Sequence, residues 1–135
     1  ILVVGVIWGL WHAPIIAMGH NYPGYPVLGT FLMTLYTIAL GFLFGYAVLK
    51  SGSVWLAAFL HGLNNQVAAF LMAMIYRPGD PVFAFGIGMY GLIVWAIVVA
   101  GLLLLDRKAW TSPAEPAAGE PLSTQHGTPG QSEAT

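Results

Sequence analysis

Long apolar runs separated by short polar breaks set the pattern of this chain. A helix that crosses a bilayer needs roughly 20 mostly apolar residues. Because lipid offers no hydrogen-bond partners to the backbone, such runs predict helices. Four segments qualify or nearly do: Ile1 to Met18, Val27 to Leu49, Ser53 to Ile75 and Val82 to Leu105. We therefore expect an all-α, polytopic transmembrane helix bundle with about four helices.

The polarity changes abruptly after Leu105. Residues 106–135 are rich in Pro, Gly, Ser, Thr and Glu and contain almost nothing apolar to bury. Such a segment is expected to stay disordered, so we divide the chain into a transmembrane core over residues 1–105 and a polar tail over residues 106–135. Lys50, Arg107 and Lys108 fall on one side of the predicted topology and Arg77 on the other, which predicts a cytoplasmic tail.

Composition narrows the class of protein. The chain has 135 residues, of which 58% are hydrophobic and 7% charged, and its formal net charge is −1. This excludes a soluble enzyme and a nucleic-acid binder, and the absence of cysteine excludes a disulfide scaffold. The chain begins at Ile1 rather than Met, directly in an apolar run, and we expect it to be a fragment of a longer integral membrane protein.

Small and aromatic residues give packing signals. Gly5 and Gly9, like Gly41 and Gly45, form small-xxx-small pairs that let helices approach closely. Aromatic residues lie near the predicted span ends, where amphipathic rings favour the membrane interface. These are Tyr22, Tyr25, Trp55, Tyr76 and Trp110.

Polar residues in the third apolar segment are the first candidates for function. The midpoint of that segment is Asn64, so His61, Asn64, Asn65 and Gln66 fall near the middle of the bilayer. Polar groups at that depth usually face the bundle interior and mark functional sites. His61 and Asn65 are four residues apart and share one helical face, Asn64 borders it, and Gln66 points elsewhere.

A second histidine lies in the first apolar segment. Trp8 and His12 share a helical face, and Pro14 predicts that the helix kinks or ends there. A histidine beside such a break can hold water or a substrate carbonyl. The structural alternative is that His12 only bonds a neighbour, and His20 and His126 are expected to be loop and tail histidines without chemistry.

Taken together, the two histidine segments resemble the second and third motifs of the CPBP intramembrane protease family. Trp8 and His12 match its Phe-or-Trp-xxx-His motif, and His61 and Asn65 match its His-xxx-Asn motif. The surrounding sequences WGLWHAP and LAAFLHGLNN are similar to family members as well. The family's first motif, Glu-Glu-xxx-Arg, is missing, since no glutamate precedes Glu115.

The resemblance implies an endopeptidase of the type II CAAX prenyl protease type in a bacterial-type plasma membrane. Its substrate would be a membrane-associated or lipidated protein or peptide. Peptide hydrolysis needs a base for water, stabilisation of the oxyanion and an acid for the leaving amine. The resemblance assigns His12 to the water, alongside the missing glutamate, and His61 and Asn65 to the oxyanion, with Trp8 and Asn64 supporting.

Three alternatives stay open. His12 and His61 with a glutamate are a possible zinc site, although asparagine is a poor zinc ligand and we expect no cofactor. The same two histidines are possible haem ligands in an electron carrier, a reading that gives Asn65 no role. A non-catalytic scaffold or bacteriocin-immunity protein would use its polar residues only to hold helices together.

Overall fold

The computed structural model describes residues 1–68, 70 and 79–111, and its regular structure there is entirely helical, without a strand. This confirms the all-α class. The α-helices are α1 Leu2–Trp11, α2 Ala13–Ala17, α3 Pro26–Ser51, α4 Val54–Leu63, α5 Met89–Leu105 and α6 Arg107–Thr111. A π-helical segment, Asn64–Ala68, continues α4, and a 3-10 turn, Pro81–Phe83, precedes α5.

Helix α3 is the centre of the structure, since α1, α2, α4, α5 and α6 all contact it. It begins at Pro26, which lacks the N–H that a first helical turn leaves unbonded. It ends where Gly52 takes a left-handed conformation (φ 66°) and donates its N–H to the carbonyl of Val48. These bounds extend the predicted span, Val27 to Leu49, by one or two residues.

The contact between α1 and α3 is a close backbone approach. Gly5 and Gly9 are buried, and a Cβ on Gly5 would lie 2.7 Å from Cα of Ile38. A Cβ on Gly9 would collide with Cα of Thr34. The Thr37 hydroxyl, 1% exposed, lies 2.8 Å from the carbonyl oxygen of Gly5. The predicted packing role of the first glycine pair is therefore confirmed, and a polar contact accompanies it.

The first apolar segment is broken at His12, as Pro14 predicts. His12 is both the last cap of α1 and the first cap of α2, and Pro14 lies in the first turn of α2. The chain resumes helical bonding when the Ile16 N–H donates to the carbonyl of His12. Ile16 is buried in the core, so the break turns α2 onto α3 rather than releasing it.

The fourth apolar segment forms its helix later than predicted. We expect a helix from Val82, but α5 begins at Met89. Asp80 accepts a hydrogen bond from the Val82 N–H and starts a 3-10 turn instead, and Gly86 then adopts a positive φ of 87°. Hydrophobicity alone does not reveal this left-handed residue, which interrupts a helix.

At one end of the bundle, charged and aromatic groups connect α3 to α5. Nζ of Lys50 and Oδ2 of Asp106 lie 2.9 Å apart, and the Tyr46 hydroxyl donates to the same oxygen at 3.0 Å. The hydrogen bond from Lys50, followed by that from Tyr46, holds the pKa of Asp106 below its usual value. Lys50 and the start of the tail thus share one end of the bundle.

The tail begins with the short helix α6, where the indole of Trp110 donates to the carbonyl of Leu102. Its ring packs against Phe42 and Tyr46. Residues 112–135, His126 among them, lie outside the described residues, and so do most of residues 69–78. The predicted disorder of residues 106–135 is therefore wrong for Arg107–Thr111, which form a helix that packs on α3. For residues 112–135 it remains a prediction, as does the end of the third helix, including Tyr76.

At the other end, Tyr22 serves a different purpose from the one predicted. Its side chain is fully buried, with a relative exposure of 0%, and its hydroxyl donates to the carbonyl of Ile87 at 2.6 Å. Its ring lies against Gly29, where a Cβ would clash with it. Tyr22 therefore fills the protein interior instead of anchoring at the membrane interface.

One helix among the described residues, Pro26–Ser51, is long and apolar enough to cross a membrane by itself, with a mean hydropathy of 2.0. Leu2–Ala17 and Met89–Leu105 are shorter apolar helices. Large apolar side chains on both are exposed, among them Ile7, Leu10, Ile93 and Ile97. The multi-pass topology and the side of the tail remain predictions.

The glycine contact predicts that Gly9→Ala destabilises the fold. The new methyl group must push α1 away from Thr34, an overpacking cost of about 1 to 3 kcal/mol. Unfolding in detergent, followed by tryptophan fluorescence, measures it. Gly101→Ala in α5 is the matched control, since nothing lies within 4 Å of its Cβ position. Equal stability of the two variants would contradict the close approach.

The Asp106 contacts predict a pH-dependent contribution to stability. A lowered pKa in the folded state stabilises the protein above the unfolded pKa, and this is lost as pH falls through the folded value. Asp106→Asn should therefore lower the unfolding midpoint at neutral pH, and the difference from the parent should begin to shrink below about pH 4 and vanish once the pH is below the folded pKa of Asp106. Lys50→Gln should reproduce the neutral-pH loss. A difference that persists in acid would contradict the assignment.

Candidate functional site

An open groove lies between α1 and the end of α4, with a volume of about 530 Å³. It brings together His12 and His61, which are 49 residues apart in the sequence, with Asn65. Both helices pack on α3, so α3 fixes the distance between the two histidine segments. The groove is lined by Val4, Ile7, Trp8, Trp11, His12, His61 and Asn65.

Trp8 contacts both histidines. Its ring centroid lies 5.1 Å from that of His61, with the rings nearly perpendicular, and 6.4 Å from that of His12. Phe44 of α3 closes the cluster, at 6.2 Å from Trp8 and 5.9 Å from His61. Edge-to-face packing of this kind fixes ring orientation. Trp8 therefore packs against both histidines, whereas the sequence predicts only that it shares a helical face with His12.

His12 has a hydrogen-bond partner at one ring nitrogen, and the described residues supply none to the other. Nδ1 lies 2.8 Å from the carbonyl oxygen of Trp8, one turn earlier in the chain. Because a carbonyl only accepts, Nδ1 carries the proton, and the neutral ring keeps its lone pair on Nε2. The bond to a neighbour that the structural alternative predicts is present, and it leaves Nε2 as the nitrogen that accepts a proton.

His61 and Asn65 meet as their spacing predicts. Nδ2 of Asn65 donates to Nε2 of His61 at 3.1 Å. The bond forms where α4 changes into the π-helical segment Asn64–Ala68, and single π turns in helices often occur at functional sites. With Nε2 accepting, the neutral His61 carries its proton on Nδ1.

A hydrogen-bonded chain continues from Asn65 into the core. Nδ2 of Asn64 donates to Oδ1 of Asn65 at 3.4 Å, and Oδ1 of Asn64 accepts from the Tyr36 hydroxyl at 2.9 Å. Tyr36 is 8% exposed and packs edge-to-face on Trp95 of α5 at 6.0 Å. Tyr36 is not among the residues predicted from the sequence. The one available signal was Asn64, a polar residue in an apolar helix that needs a partner.

The remaining sequence candidates lie apart from the groove. The side chains of His20 and Gln66 are exposed and are not among the groove residues. The two carboxylates among the described residues, Asp80 and Asp106, bond to Tyr25 and to Lys50 with Tyr46 respectively. Glu115, Glu120 and Glu133 lie outside the described residues.

No group of three His, Cys, Asp or Glu side chains suited to a metal occurs in the described part of the chain. The hydrogen bonds of the two histidines also concern the zinc and haem alternatives. Nε2 of His61 lies 3.1 Å from the Asn65 amide nitrogen, whereas the described residues supply only one hydrogen bond to the His12 ring, at Nδ1.

Comparison with known families gives a match over the part of the chain that contains the groove. Residues 1–67, about half of the chain, match the model of the family described as type II CAAX prenyl endopeptidase Rce1-like. The matched span includes Trp8, His12, His61 and Asn65, so the resemblance drawn from the two motifs is confirmed for this part of the chain. None of the curated proteins and none of the solved structures compared with the chain matches it.

Proposed function

We propose, from the match of residues 1–67 to this CAAX-type family of membrane proteases, that the groove is the histidine and asparagine part of an endopeptidase active site. The observation that carries the proposal is the convergence of His12, His61 and Asn65 on one groove from two helices. Their nitrogens offer both a proton acceptor and hydrogen-bond donors, which hydrolysis of a peptide bond requires.

Stabilisation of the oxyanion falls to Asn65 and His61. The Asn65 amide nitrogen carries two hydrogens, and one of them is used on His61. The second is available to a carbonyl oxygen that becomes negative during attack. The proton on Nδ1 of His61 supplies another donor. Because Trp8 and Phe44 pack against the His61 ring, these donors are held in place before the substrate arrives.

Activation of water falls to His12. Its free Nε2 accepts a proton from water while the water oxygen bonds to the scissile carbonyl carbon. The carbon–nitrogen bond then breaks, and the proton passes from His12 to the leaving amine. The family resemblance places a further glutamate at this step, and the groove-lining residues include no carboxylate.

The substrate we propose is a membrane-associated or lipidated protein or peptide. Apart from its polar nitrogens, the groove is lined by Val4, Ile7, Trp8 and Trp11, and Trp11 is 80% exposed. An open, apolar groove favours a chain delivered from the bilayer, since burial of its lipid or apolar side chains contributes to binding.

We further propose that the hydrolysis needs no metal. The lone pair on Nε2 of His61 accepts a hydrogen bond from Asn65, and asparagine is a poor zinc ligand. Full-length protein treated with 1,10-phenanthroline and dialysed should cleave a farnesylated peptide at an unchanged rate. It should also contain no stoichiometric zinc by mass spectrometry. Loss of cleavage that added zinc restores would contradict this part of the proposal.

The proposed roles predict the effect of three substitutions in the full-length protein. His12→Ala and His61→Ala should abolish cleavage while expression is kept. Asn65→Ala should cost less than either, of the order of 10²-fold, because it removes one oxyanion donor. Cleavage is measured in nanodiscs on the farnesylated peptide. In cells, mass spectrometry of new protein N-termini in membranes measures it without a chosen substrate.

His20→Ala is the matched control, since His20 is an exposed loop histidine outside the groove. It should cleave like the parent. If the parent generates no N-termini beyond those in cells with His61→Ala, the endopeptidase proposal is wrong and a scaffold or immunity role replaces it. Activity that survives in both single histidine variants would refute the role assignment alone.

A further inference from the structure

We propose that Tyr36 is a positioning residue for this site, acting through Asn64 to set the orientation of the Asn65 amide and the tautomer of His61. The proposal rests on the function proposed above. Tyr36 itself lies in α3, outside the groove-lining set, so its influence on the chemistry is indirect.

The burial of Tyr36 makes its hydroxyl a fixed point. The side chain is 8% exposed, and its ring packs edge-to-face against Trp95 of α5. A buried hydroxyl needs a hydrogen-bond partner. That partner is Oδ1 of Asn64 at 2.9 Å, so the Asn64 amide is held with its nitrogen free to donate.

Asn64 transmits this orientation to the site. Neighbouring residues in an α-helix do not face each other, yet Nδ2 of Asn64 lies 3.4 Å from Oδ1 of Asn65 in the π-helical segment. Holding that oxygen places the Asn65 nitrogen toward His61 and toward the groove. The chain from Tyr36 to His61 thus has a single direction, in which each amide accepts on oxygen and donates on nitrogen.

Without the Tyr36 hydroxyl, the orientation of the Asn64 amide is no longer fixed. Oδ1 of Asn64 then lacks its donor, both amides are free to turn over, and Nε2 of His61 no longer receives a constant hydrogen bond. If the Asn65 amide turned over, its oxygen rather than its nitrogen would face the developing oxyanion, and the two oxygens would repel each other. Since misplacement of a catalytic group costs up to about 10²-fold, we expect kcat to fall ten- to hundredfold.

The test is Tyr36→Phe in the full-length protein in nanodiscs, with Tyr46→Phe as the matched control. Tyr46 lies in the same helix, and its hydroxyl bonds to Asp106 at the far end of the bundle. Both substitutions remove one hydroxyl and keep the ring. Tyr36→Phe should lower kcat on the farnesylated peptide with KM unchanged, whereas Tyr46→Phe should leave both constants at the parent values.

A spectroscopic readout separates positioning from a loss of stability. In protein labelled with ¹⁵N-histidine, the His61 signal is assigned by its disappearance in His61→Gln. The parent should show the Nδ1–H tautomer of His61. Tyr36→Phe should shift it toward a mixture with Nε2–H, and Tyr46→Phe should not. Asn64→Ala should have the same effect, and the double variant should be no worse than either single one.

The outcomes are distinguishable from failure of the proposed function. If the parent cleaves nothing, the endopeptidase proposal fails, and the His61 tautomer still decides the role of Tyr36. An unchanged tautomer in Tyr36→Phe overturns the positioning role, as does a parent His61 in the Nε2–H form. Additive losses in Tyr36→Phe with Asn64→Ala would also overturn it, since independent structural effects add.

Discussion

The close approach of α1 to α3 is the contact on which the site depends. Gly5 and Gly9 bring the two backbones together, and Trp8, which lies between these glycines in the sequence, is carried to a fixed height beside Phe44. Lipid tails are as apolar as the helices themselves, so such packing and polar contacts, rather than a hydrophobic driving force, hold apolar helices together. The Thr37 hydroxyl against the Gly5 carbonyl supplies a polar contact there.

Helix α3 and the loop before it also make polar contacts with neighbouring segments at three further levels. Lys50 and Tyr46 bond to Asp106 at one end, and Tyr36 bonds to Asn64 in the middle. At the other end, Tyr22, in the loop before α3, bonds to the carbonyl of Ile87. Each contact fixes a rotation as well as a distance, because a hydrogen bond is directional where apolar packing is not.

Prolines, glycines and residue spacing in the sequence predicted those parts of the structure that depend on neighbouring residues in the chain. The bounds of α3 followed from the charge-free run Val27 to Leu49 and the turn residues on either side of it, and the break at His12 followed from Pro14. The predicted start of α5 was wrong because residues 82–88 are as apolar as those of the helix itself. Hydropathy does not reveal that Gly86 adopts a left-handed conformation. The spacing of His61 and Asn65 predicted that they share a helical face, and the structure adds a hydrogen bond between them. Tyr36 could not be found, since its partner depends on the relative rotation of α3 and α4.

Both histidines lie at or near the point where a regular α-helix ends. His12 joins α1 to α2, and His61 precedes the π-helical segment by one turn. In a membrane protein, irregular backbone persists where protein buries it or where it lines a cavity, because lipid cannot satisfy the freed groups. The groove lies beside both irregularities. At His12 the Trp8 carbonyl orients the side chain, and at His61 the Asn65 amide does so. Coincidence of two helix irregularities with two oriented histidines is therefore a stronger indication of chemistry than either histidine alone.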